Sequence, residues 1–64
     1  MLTNDELHIY KMLILGYPVS VISRILKKPQ KNIKGTMISI FDKLGVSNRV
    51  QLIIKYNIDY NLVI

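Results

Sequence analysis

Apolar positions recur at helical spacing in four separate stretches of this chain, and capping signals mark where each stretch begins and ends. Thr3-Asn4-Asp5-Glu6 matches a capping box, with Thr3 set to accept from the Glu6 N–H and the Glu6 carboxylate set to accept from the Thr3 N–H. Asp5 and Glu6 also bring negative charge to the first turn, where the helix dipole favours it. From there Ile9, Tyr10, Leu13 and Ile14 define an inward face that runs to Gly16, a left-handed stop. Leu7, Met12 and Leu15 widen that face and read either as core or as a contact with another domain or subunit.

Tyr17-Pro18 opens a second, shorter helix, because proline fits a first turn and its missing N–H goes unused there. Val21, Ile22, Ile25 and Leu26 are expected to face inward, with Ser20, Ser23 and Arg24 toward solvent or phosphate. Lys27-Lys28-Pro29 ends it, since a residue before proline is biased away from helix. After a turn of about three or four residues comes the longest stretch, 29–44. Here Ile33, Met37, Ile40 and Leu44 fall at i, i+4, i+7 and i+11 and form one apolar stripe. On the other side Lys31, Lys34, Gly35 and Ile38 make a cationic ridge with one bare backbone position and one apolar knob.

Gly45 stops the third helix as Gly16 stops the first. Asn48-Arg49-Val50-Gln51 then reads as an Asn cap followed by a glutamine at the third helical position, beginning a fourth helix over about 48–57. Leu52, Ile53 and Tyr56 suit a core, whereas Val50 and Ile54 lie elsewhere on the helix. Asn57 is expected in the left-handed conformation, and the apolar tail, residues 58–64, does not read as solvent-exposed coil. The pattern predicts an all-α fold of four helices, one domain over residues 1–64. Its second and third helices, joined by a tight turn over about 18–44, form a helix-turn-helix.

Size and charge narrow what such a bundle does. A chain of 64 residues buries only roughly 60% of the surface its unfolded form exposes. With no cysteine, neither disulfides nor thiolate metal sites supplement the core. Half the residues are hydrophobic, so some apolar area is expected to stay exposed until a dimer or larger protein covers it. No run approaches the roughly 18–20 apolar residues that span a bilayer, and no signal-peptide pattern opens the chain, so a soluble, cytoplasmic protein with no membrane partner is expected. The net charge is +5, concentrated at Arg24, Lys27, Lys28, Lys31, Lys34, Lys43 and Arg49, with Asp42 the acid among them. Clustered cations favour a polyanion, because each phosphate neutralised releases condensed counterions.

Catalysis has little to stand on. Asp5 and Glu6 are adjacent and share no helix face, Glu6 already has a capping role, and Asp42 and Asp59 lack an evident partner. No serine has a paired base and no glycine-rich phosphate loop occurs. His8 is the one histidine and reads as a surface residue. An enzyme is not expected, nor a metal or cofactor.

Leu2, Thr3 and Glu6 as L-T-x-x-E, Gly16, Ile22, Leu26, Lys31, Ile33, Lys34, K-L-G-V over 43–46, and Asn48, Arg49 and Gln51 as N-R-x-Q together resemble the LuxR-type (GerE-like) helix-turn-helix domain of bacterial transcription regulators. The resemblance extends without a gap from Leu2 to about Ile58. It implies a third helix, 30–44, lying in the major groove of double-stranded DNA, and a fourth that supports a homodimer on an inverted repeat. Carried over position by position, Lys34, Gly35 and Ile38 face base edges, Lys31, Asn32, Asn48 and Arg49 meet the backbone, and Val50 and Ile54 serve dimerisation. For Arg49 the residues leave open an internal tie to a neighbouring helix end. Such domains usually follow a receiver or ligand-binding domain, so a longer chain is compatible with the pattern, and Met1 does not decide it.

The chain departs from the family at four places. Asp5 stands where the family usually has Arg, Pro29 where it has a small polar cap, and Ile38 where it has a polar residue. Gly35 replaces a helix former at a cost of roughly 0.5–1 kcal/mol relative to alanine. Gly35 suits a close backbone approach to DNA and Ile38 suits a thymine methyl. The same two residues, with the apolar excess, suit a second reading: a protein-interaction module on the same fold, a heterodimer partner or anti-regulator with weakened DNA readout.

Overall fold

The computed structural model describes residues 1–61, with side chains through Asp59. It is built from four α-helices: α1 Asn4–Ile14, α2 Val19–Leu26, α3 Gln30–Leu44 and α4 Arg49–Tyr56, the last continued by a π-helical turn, Asn57–Asn61. The sequence expectation for the end of the tail, residues 62–64, falls outside the described residues.

Each helix contributes to one core. Ile9 and Leu13 of α1, Ile22 of α2, Ile33 and Ile40 of α3, and Leu52 of α4 are all buried, and Met12, Val19, Leu26, Met37, Phe41 and Leu44 pack partly buried around them. On α3 the buried residues follow the apolar stripe read from the sequence. Tyr10 of α1 and Tyr56 of α4 are half-buried and meet edge to face, with ring centroids 6.5 Å apart.

On α2 the inward set differs from the expectation: Ile25 is 50% exposed, Val21 does not join the residues packed on the core, and Val19, absent from the sequence expectation, takes a place against it. On a two-turn helix Val19, Ile22 and Leu26 share one face, and at 100° per residue Ile25 lies roughly 90° from its centre. Leu7 and Leu15 are exposed while Met12 packs inward, so only the last of these three joins the core.

The helix ends explain the tight connections. Thr3 caps α1, its Oγ1 accepting from the Glu6 N–H at 3.2 Å while Glu6 Oε1 accepts from the Thr3 N–H at 2.9 Å. Pro18 and Pro29 cap α2 and α3 in extended conformation without a side-chain acceptor. α1 closes through the Tyr17 N–H on the Met12 carbonyl and the Gly16 N–H on the Leu13 carbonyl, the Schellman pattern. α3 repeats it at Gly45, and both glycines have positive φ. α2 closes the same way without glycine: Lys27 itself takes φ 55, with the Lys28 N–H on the Ser23 carbonyl. Pro29 stops Lys28 from continuing the helix, so the chain must turn within the two lysines. Asn57 corrects the remaining expectation, being right-handed at φ −63, ψ −39; the chain runs on into the wider turn instead of stopping.

Candidate nucleic-acid interface

The apolar stripe of α3 is sealed against the other three helices, and this fixes which side of the helix faces out. Lys31, Asn32, Lys34, Gly35 and Ile38 are all exposed, Ile38 to 68%. Lys27 and Lys28 are exposed at the turn that leads into the helix, so positive charge gathers at its N-terminal half. Asp42, also exposed, lies on the same side as Lys31, Gly35 and Ile38, at i+11, i+7 and i+4 from them respectively. Beside the ridge, an open polar groove of about 560 Å³ runs between the start of α1 and α3, lined among others by Asp5, Lys28, Asn32 and Gly35.

Beyond its buried stripe, α3 is tied to α1 by a carboxylate. Glu6, buried at the first turn of α1, accepts from Lys43 Nζ on Oε1 and from the Ser39 hydroxyl on Oε2, each at 2.7 Å. The Lys43 ammonium first, then the Thr3 N–H and the Ser39 hydroxyl, lower the Glu6 carboxyl from 4.5 to about 2, outweighing the opposing effect of burial. Lys43 therefore leaves the set of cations free for a polyanion. The sequence assigned Glu6 only its capping role; its partners on α3 are 33 and 37 residues away, a separation that local spacing does not report.

Arg49 turns out to be tied internally. Its Nη1 donates to the Tyr17 carbonyl at 2.6 Å, just past the end of α1, and the side chain is half-buried. A cation in the first turn of α4 sits at the unfavourable end of that helix's dipole, and the carbonyl offsets this. A guanidinium has five N–H donors, so this bond leaves others for an outside acceptor. Asn48 commits Oδ1 to the Gln51 N–H at 2.9 Å, and Gln51 Oε1 reaches back to the Ser47 N–H at 2.7 Å, one residue earlier than a capping box requires. Asn48 is exposed, as are Val50 and Ile54 on α4, at 66% and 52%.

Among the described residues no group of three or more His, Asp or Glu side chains comes together to hold a metal ion, and no helix is long and apolar enough to cross a membrane.

A short helix, a tight turn and a longer helix whose outer face is exposed and cationic define the helix-turn-helix class of DNA-binding domains. The family model GerE, described as bacterial regulatory proteins of the luxR family, matches residues 1–56, and the chain belongs to that family. Its general role is thus DNA binding in transcription regulation. Searches of curated proteins and of solved structures returned no match.

Proposed function

We propose that this domain binds DNA sequence-specifically, with α3 seated in the major groove and two copies on an inverted repeat. The observation that carries this reading is the division of α3 into two faces: Ile33 and Ile40 fully buried, Lys31 and Lys34 exposed on the other side. Lysines tucked under another segment would have ended it. Lys34, Gly35 and Ile38 meet base edges; Lys31, Asn32, Asn48 and the remaining donors of Arg49 meet phosphates. Val50 and Ile54 form the seam between copies. The domain works in the cytoplasm, alone or behind a receiver or ligand-binding domain, with no cofactor.

Titration against duplexes selected from a random pool tests this. Affinity falls steeply with salt, because phosphate neutralisation dominates. Lys34→Ala lowers affinity for the selected site by roughly 1–3 kcal/mol and relaxes specificity there, whereas Lys31→Ala weakens all duplexes alike and reduces the salt slope by about one per half-site. A salt-independent signal, or Lys34→Ala without effect, contradicts the assignments.

The exposure of Ile38 together with Val50 and Ile54 favours one other reading, a protein-interaction module with weakened readout. Sedimentation with and without DNA separates the two: a partner captured with no duplex bound at any salt supports the second.

A further inference from the structure

Nothing inside the chain requires Gly35 to be glycine. It lies within α3, its φ is not positive, and a Cβ added there meets no atom within 4 Å. Glycine is a destabilising choice at such a position, and on this exposed face it leaves the backbone bare. Three residues later Ile38 is 68% exposed. Helix side chains lean toward the N-terminus, so Ile38 leans toward the turn that contains Gly35 without coming within 4 Å of a Cβ placed there. Side chains at i and i+3 are neighbours, about 5–6 Å apart between Cβ positions, and here one of the two is missing. The result is an open notch on the outer face of α3, the bare backbone of Gly35 bordered on one side by the polar groove and on the other by the exposed Ile38, with Lys31 and Lys34 exposed alongside.

We propose that this notch is a receptor for the C5-methyl group of a pyrimidine, so that the domain reads thymine at one position of each half-site by its methyl and not by a hydrogen bond. The inference rests on α3 entering the major groove. There the C5-methyl is the one apolar group that base edges display, while guanine O6 and N7 next to it are acceptors matched to the flanking ammonium groups. A bare polar edge against Ile38 would lose its water without gaining a partner, which selects against the other bases at that position.

Duplexes enriched from a random pool, resynthesised with uracil for thymine one position at a time, test it directly. At one position per half-site uracil weakens binding roughly fourfold, and about fifteenfold when both halves are changed, the worth of one buried methyl each. At that position a 5-methylcytosine·guanine pair retains more binding than cytosine·guanine. Gly35→Ala fills the notch: the thymine-to-uracil ratio falls to about one while the melting temperature of the free protein rises, because alanine is the better helix former. Ile38→Ala loses the ratio without gaining stability. Uracil tolerated at every position of an enriched site, or a full ratio surviving in Gly35→Ala, overturns the receptor and leaves DNA reading intact; a pool from which no duplex is enriched removes both.

Discussion

Lys27 carries the one left-handed backbone of a residue other than glycine among those described, at φ 55. An L side chain in that region costs roughly 1–2 kcal/mol, part of which glycine regains despite its greater unfolded entropy. Lys27→Gly is therefore expected to raise stability by about 1 kcal/mol, read as a higher urea midpoint with unchanged slope; an unchanged or lower midpoint would mean that the lysine has a compensating contact. The sequence showed that a helix had to end near Lys27, since Pro29 bars continuation, but not which lysine would bend. The same limit applied to Arg49 and Lys43. Each was a cation of uncertain duty in the sequence, and each found an oxygen on an element far away in the chain, the Tyr17 carbonyl and the Glu6 carboxylate.

Among elements, Glu6 ties the first turn of α1 to the C-terminal half of α3, the helix that carries the cationic ridge. Glu6 is lowered to about 2 in the folded protein from an ordinary 4.5, so the folded state binds its proton more weakly than the unfolded state does. The stability this carboxylate contributes is therefore fully present above about pH 4.5 and lost as pH falls toward about 2. Denaturation midpoints followed through that window should fall steeply for the native chain. Glu6→Gln should start lower at pH 7 and lose the part of the slope due to this group; parallel curves for the two proteins would show that the tie does not act through charge. Helix boundaries were legible to within a residue or two, because caps and stops are local. The rotation of α2 was not: Val19 and Ile25 are both apolar, and only the position of the neighbouring helices decided that Val19 would face them.

For the molecule as a whole, the apolar excess noted from composition resolves into separate places. Some of it stands on α3 at Ile38, and some on α4, where Val50 and Ile54 sit one turn apart. A pair this small adds little area against the roughly 800 Å² per partner of a standard interface, so pairing is expected on DNA and not in its absence. Val50→Asp with Ile54→Asp should leave the helical circular-dichroism spectrum intact while abolishing the two-to-one complex on a duplex with two half-sites. A two-to-one complex that persists with undiminished cooperativity would place the seam elsewhere.

Periodicity, caps and stops are properties of neighbours in sequence, and from them the order of four helices, the buried stripe of α3 and the outward set Lys31, Lys34, Gly35 and Ile38 followed directly. Helix geometry converts spacing into faces without reference to the rest of the chain. Folding alone decided the burial of Glu6 against Ser39 and Lys43, the Arg49 bond to Tyr17 and the rotation of α2, since each depends on which distant residue arrives and at what angle. Charge and hydrogen bonding act over a few ångströms in space, and the chain gives no measure of that distance until its helices are packed.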